Sequence, residues 1–421
     1  MSNRSILSPF VFALVALVCC GLVLGWSLRL APSQNGGVSI DTAIEAQMTN
    51  QAGSDLPMVH RLVRFDTRAA FETGTLDNLS IVVGGSVEKS ADRLVFTSAP
   101  AKSFPIVGTW TSPEISGEFE FTELLPSWNV QTPDGALDTT GARFDVRIKT
   151  GGEWSPWLYM GGWGRVPDRR KLTKFPGGKV EVDIVELKQK AQAFQIRATL
   201  FSFDLSGRMM PELRRVSACY SSVVANERER DLVSPRPSMA RAAFGRDLPV
   251  PFRAQGAESA SISSEICSPT TVSMVMEFSG VSRPTTANAM AVYDAEYDLF
   301  GNWNRAVQLA GSLGLDSYLT RISTIDEARA FVAAGQPVIA SIRFKKNEFP
   351  SNIMEDTDGH LIVIRGFNQD GDAIVNDPAS KSRGNGVIYK ADELERAWIK
   401  SAGGIAYIIA PLGKLPADSS R

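Results

Sequence analysis

A thiol, an imidazole and a carboxylate stand in three separate motifs of this chain, and together they could break an amide bond. Cys267 lies in Glu265-Ile266-Cys267-Ser268-Pro269-Thr270-Thr271, just ahead of a helix-like segment. His360 is one of only two histidines in the chain and opens the apolar run Leu361-Ile362-Val363-Ile364. Asp377 closes the next apolar run. A thiolate can attack a carbonyl, a neighbouring imidazole can carry the proton, and a carboxylate can fix that ring and its tautomer.

The elements around these residues should bring them together. Pro269 suits a first helical turn, and Val272, Val275, Met276 and Ser279 recur at spacings of three and four, with Gly280 as terminator. Cys267 then sits at a helix N-terminus, where exposed amides and the dipole favour thiolate. The runs beginning at His360 and ending at Asp377 flank Asn368-Gln369-Asp370-Gly371-Asp372, a turn-like stretch. A hairpin about that turn places His360 and Asp377 nearly opposite each other, whereas Asn376, the other candidate orienter, faces away. Gln255 precedes the nucleophile in a loop and could join the Cys267 backbone amide as an oxyanion donor, or be an ordinary loop glutamine. No second histidine sits near acidic residues and there is no paired-cysteine spacing, so zinc is poorly supported, and no cofactor is called for.

Further out, the chain of 421 residues has a formal net charge of −2 and no basic stripe, which argues against nucleic acid as a partner. Phe10 to Leu28 is apolar and uncharged, bracketed by Arg4 and Arg29. It reads as an export signal or as a membrane anchor, about 20 apolar residues being enough to cross a bilayer. The expected location is therefore extracytoplasmic, secreted or membrane-anchored through residues 10–28 if that segment is retained. Cys219 and Cys267 are the cysteines beyond it, and in an exported chain they could instead form a disulfide.

The domain reading is a signal or anchor over 1–30, a flexible stalk over 31–58, a β-sandwich-like domain over 59–222, a linker over 223–249, a catalytic-type domain over 250–412 and a tail over 413–421. Period-two runs such as Ala142-Arg143-Phe144-Asp145-Val146-Arg147-Ile148 and Phe194-Gln195-Ile196-Arg197-Ala198-Thr199-Leu200 predict the all-β part. Its cluster Trp154-Ser155-Pro156-Trp157-Leu158-Tyr159, with Trp163, is either core or a face for carbohydrate contact. After residue 250, helical patterns come first and strands follow, so the expected class is α+β, headed by an apolar helix.

With those residues assembled, the C-terminal part resembles the bacterial cysteine peptidases related to the double-glycine, bacteriocin-processing family, the C39-like peptidases, which share the papain fold. The resemblance rests on Cys267-Ser268-Pro269-Thr270-Thr271-Val272-Ser273-Met274-Val275, on Gly359-His360-Leu361-Ile362-Val363-Ile364-Arg365-Gly366-Phe367, on Val375-Asn376-Asp377-Pro378-Ala379, and on Gly335-Gln336-Pro337-Val338-Ile339-Ala340-Ser341. It implies Cys267 as nucleophile, His360 as base, Asp377 as orienter, and a peptide, protein or cell-wall amide as substrate. Ser268 stands where the family commonly has glycine, and Gln255 lies further from the cysteine than the family's oxyanion glutamine. The expected function is an exported cysteine peptidase or amidase working through a thioester. The alternatives are an inactive binding module of the same shape at the cell envelope, or an acyl transferase with the same triad.

Overall fold

The computed structural model describes residues 58–84, 91–97, 104–133, 136–167, 172–223 and 241–415. The expected segment 1–30 and all but the last residue of the expected stalk 31–58 lie outside these residues, as do most of the linker and the end of the tail. Among the described residues no helix is long and apolar enough to cross a membrane, so the membrane-crossing helix expected from the sequence has no counterpart there.

The α+β expectation is corrected. The protein is mostly β, with 44% strand against 19% helix, because both halves are built on sheets and their helices are few and short. In residues 58–223 thirteen strands share one continuous ladder, which curls toward a barrel instead of forming two separate packed sheets. Two long strands, Ile115–Gln131 and Ile184–Ser202, make this possible. The first pairs with Ile184–Ser202 at one end and with Glu212–Val223 at the other, so one chain segment joins two walls. Phe144, Val146 and Ile148 alternate inward on Thr140–Thr150 and are fully buried, together with Phe121, Trp128 and Phe194. Trp128 stacks on Phe144 with ring centroids 4.1 Å apart.

Residues 241–415 form a seven-stranded antiparallel sheet ordered Asp316–Arg321, Ile405–Ala410, Val338–Phe344, Thr357–Phe367, Ala373–Asn376, Val387–Tyr389, with Arg246–Asp247 added beside Thr357–Phe367. The helix Cys267–Phe278 packs on this sheet and on helices Thr285–Val292 and Trp303–Ser312. It was expected to be amphipathic but is buried all round from Ser268 to Met276. Its hydroxyls survive burial by bonding to the preceding turn, Thr270 to the Ile266 carbonyl at 2.6 Å and Ser273 to the Pro269 carbonyl at 2.6 Å.

The two halves share a core, in which Leu125, Trp163, Ile184 and Cys219 of the first pack with the second. Helix Trp303–Ser312 is held at both ends by the barrel-like half. Asp183 accepts from the Trp303 amide at 2.7 Å at the N-terminus, and Arg214 donates to the Gly311 and Leu315 carbonyls at the C-terminus. An anion at the first turn and a cation at the last is the arrangement a helix dipole favours. Between them, the Gln308 side chain takes the place of a missing strand. It accepts from the Val130 amide at 2.8 Å and donates to the Val130 carbonyl at 2.7 Å.

Candidate active site

Cys267 begins its helix, and the residue before it, Ile266, supplies no side-chain cap. Helices Trp303–Ser312 and Ile325–Ala333 differ, since Asn302 and Thr324 cap them. The first-turn amides at Cys267 therefore have no capping side chain to satisfy them, which leaves donors pointed at whatever sits in front of the sulfur. Ser268 turns the other way, and its hydroxyl lies 3.3 Å from the Tyr407 hydroxyl in a fully buried pair. Cys267 is partly exposed and Cys219 is buried; both are free thiols, so the disulfide alternative is excluded.

His360 lies on Thr357–Phe367 and is 3% exposed. Its Nε2 is 2.8 Å from Asp377 Oδ1, and the Cys267 side chain lies close enough to the ring to help raise its pKa. The ladder pairs Val363 with Asn376, which sets Asp377 across from Ile362. His360 and Asp377 are thus diagonal neighbours on one face of the sheet, offset by two residues along adjacent strands. Asn376 faces away, donating to the Val250 carbonyl at 3.0 Å and accepting from Arg365 and the Gly386 amide.

The Asp377 carboxylate is fully buried and fully satisfied. Besides His360, it accepts from the Ala379 amide at 2.9 Å and from the Tyr389 hydroxyl at 2.6 Å. Burial alone would raise its pKa, but the His360 charge and these hydrogen bonds outweigh it and hold the carboxyl below the usual carboxylate range. The imidazole shows the reverse balance. Burial would push it down, whereas the Asp377 carboxylate, with a further contribution from Cys267, brings it up to about 10. Sequence reading missed Tyr389, which sits on Val387–Tyr389 with its ring against Phe349, centroids 5.0 Å apart. Its only signal was an aromatic residue ending the strand after Asp377.

Gln255 lies in a short 3-10 turn, Gln255–Ala257. Its Nε2 donates to the Ser263 carbonyl at 2.9 Å and its backbone amide to the Pro378 carbonyl at 3.0 Å. It therefore ties the loop entering Cys267 to the segment leaving Asp377. Gly384 closes the same corner, accepting from the Asp377 amide at 2.8 Å. A Cβ there would fall 1.9 Å from the Asp377 carbonyl oxygen, so only glycine fits.

A thiol at an uncapped helix start, near an imidazole that is itself held by a buried carboxylate, is the layout of nucleophilic cysteine chemistry. The chain belongs to the C39-like peptidases. The profile described as "Peptidase_C39 like family" matches residues 247–405, and one described as "Peptidase C39 N-terminal domain" matches residues 61–221. A solved structure assigned as a C39-like peptidase from Bacillus anthracis is 18% identical, with a TM-score of 0.30, covering 39% of this chain and 96% of that one. Peanut lectin with a bound 9mer peptide is 11% identical, TM-score 0.23, covering 40% and 99%. A carbohydrate-binding module of the β-sandwich superfamily is 11% identical, TM-score 0.19, covering 41% and 58%. At these scores the likenesses carry no functional weight. A comparison with curated proteins finds no match.

Proposed function

We propose that the protein is a cysteine peptidase or amidase in which Cys267, His360 and Asp377 act as nucleophile, base and orienter. The observation that supports this reading is the His360 ring held 2.8 Å from the buried Asp377 carboxylate, with Cys267 at a helix start close enough to act on the ring's protonation. In the mechanism, the Cys267 sulfur attacks the substrate carbonyl carbon. The carbonyl oxygen takes the negative charge in front of the uncapped helix amides. The His360 imidazolium gives its proton to the leaving amine as the C–N bond breaks and the thioester forms. Water, deprotonated by His360, then attacks the thioester, and the sulfur departs with a carboxylic product. Asp377 keeps the ring oriented throughout.

Gln255 braces the corner, its Nε2 donating to the Ser263 carbonyl at 2.9 Å and reaching the Ser264 carbonyl at 3.5 Å, so serving as an oxyanion donor would mean giving up the longer of these bonds. The peptidase family suggests a peptide or protein substrate, and a cell-wall amide fits the same chemistry. Export is our reading of the apolar, uncharged stretch 10–28 behind Arg4.

The test is a thiol-reactive acyl probe together with a peptide library cleaved by purified protein. Cys267→Ala should abolish both labelling and cleavage, and His360→Ala should slow both by about a thousandfold or more. Slow wild-type labelling with no cleavage would favour a binding module of the same shape. Turnover that rises with added amine and yields amide products would favour acyl transfer.

A further inference from the structure

The barrel-like half carries a cluster in which arginines lie on tryptophans. On Thr140–Thr150 the outward positions are Arg143, Asp145, Arg147 and Lys149, because the residues between them fill the core. The neighbouring strand sets Arg197 opposite Asp145 and Gln195 opposite Arg147. The Arg147 guanidinium sits 4.5 Å from the Trp154 ring centroid and 4.9 Å from that of Trp157, and Arg197 sits 4.3 Å from Trp157. Lys149 is 5.4 Å from Trp154, and its ammonium also pairs with Glu114 at 2.9 and 3.1 Å. Arg147, Lys149, Arg197, Trp154 and Trp157 are partly open to solvent.

Among the described residues four cations, Arg143, Arg147, Lys149 and Arg197, face only two carboxylates, Asp145 and Glu114. Asp145 is buried and already held by Arg143 through both oxygens, so Arg197 reaches it only at 3.4 Å. Arg147 bonds the neutral Gln195 side chain, at 2.7 Å through Nε, and meets no carboxylate among the described residues. A guanidinium over an indole can still donate to a carboxylate; in Arg147, Nε and Nη2 bond Gln195, which leaves Nη1 for that role. The same stacking covers ring faces that a sugar would need.

Resting on the peptidase reading above, we propose that this face binds an acidic, extended segment of the polypeptide substrate. Lys149, Arg147 and the Arg197–Asp145 pair occupy successive outward positions, roughly 6.8 Å apart along the strand. That spacing matches the alternate side chains of an extended peptide, so one carboxylate could meet Arg147 while those two residues away compete with Glu114 for Lys149 and with Asp145 for Arg197.

The experiment is calorimetric titration of the full Cys267→Ala chain with an alternating glutamate–alanine octapeptide, its lysine counterpart, polygalacturonate and a neutral xylo-oligosaccharide. The glutamate peptide should bind, the lysine peptide should not, and affinity should fall as salt rises. Arg147→Gln with Arg197→Gln should weaken binding by about three- to tenfold. Unchanged affinity in that variant, or binding of either glycan in preference to the peptide, would overturn the assignment. If the double variant fails to fold, Lys149→Gln decides by the same comparison. Binding here needs no turnover, so an inert Cys267 would sink the peptidase reading and leave the surface standing. A working Cys267 without peptide binding would do the opposite.

Discussion

Tyr389 donates its hydroxyl to Asp377 Oδ2 at 2.6 Å while His360 Nε2 lies 2.8 Å from Oδ1, so one buried carboxylate is held from both sides. The phenol sits where it can keep the carboxylate ionised and turned toward the ring. Tyr389→Phe removes a donor that lowers the Asp377 pKa, so that pKa should rise. Hydrolysis should fall by about tenfold, the equivalent of ~1.4 kcal/mol, and the acid limb of the pH–rate profile should move to higher pH. Steady-state kinetics across pH on a cleaved peptide check this. A rate loss with an unmoved acid limb would assign Tyr389 to packing alone.

The His360–Asp377 pair should also leave its mark on stability. The imidazole pKa is raised from an ordinary value near 6.5 to about 10, so its contribution is complete below 6.5 and is lost as pH rises through 10. The Asp377 pKa is lowered, so its contribution is complete above the usual carboxylate value and is lost as pH falls through the depressed one. The gap in unfolding free energy between wild type and His360→Gln should therefore be widest near pH 6, at about 3 kcal/mol, and shrink on both sides. Urea denaturation at a series of pH values measures it. A gap that stays flat up to pH 10 would mean that the pair is not charged in the folded protein.

Ser268 replaces the family's common glycine, and its buried hydroxyl has the Tyr407 hydroxyl as its partner at 3.3 Å. Ser268→Ala would leave that phenol buried without its bond, at a cost of about 1–2 kcal/mol. Tyr407→Phe alone should cost a similar amount, and the double variant less than the sum. A double-mutant cycle by chemical denaturation reads the coupling directly, and strict additivity would show that the two hydroxyls do not interact.

Much of the site was legible because it depends on local signals. Pro269 and Gly280 bracket the nucleophile helix, and the Asn368–Asp372 turn fixes the hairpin that carries His360 and Asp377. Strands at Val338–Phe344, Ala373–Asn376 and Ile405–Ala410 announce themselves as short apolar runs. What was hidden depends on tertiary partners. Asp316–Arg321 looks polar, yet it is buried along its whole length because Arg321 meets Glu123 and Ser317 meets Asn129 from the other half. The all-round burial of Ser268 to Met276 was likewise invisible, since its hydroxyls bond to the helix's own backbone. The class was misjudged because periodicity reports elements one at a time. It cannot say that Ile115–Gln131 and Ile184–Ser202 each change partners midway and so draw thirteen strands into one curling wall.

Gln308 decides whether the two halves stand or fall together. Its amide serves both the N–H and the C=O of Val130, deep in the junction, while Asp183 and Arg214 hold the ends of the same helix. Gln308→Ala would bury two backbone groups with no partner and leave a small void beside them. The cost should be about 2–4 kcal/mol, larger than for any single exposed ion pair on the surface. Because the halves share one core, the wild type should unfold in a single transition seen alike by barrel-like-half tryptophans and by exchange of the His360-strand amides. In Gln308→Ala the midpoint should drop while the two probes still coincide. Probes that separate, with the barrel-like half persisting after the His360 strand has opened, would show that the junction is a docking contact between two independent folds.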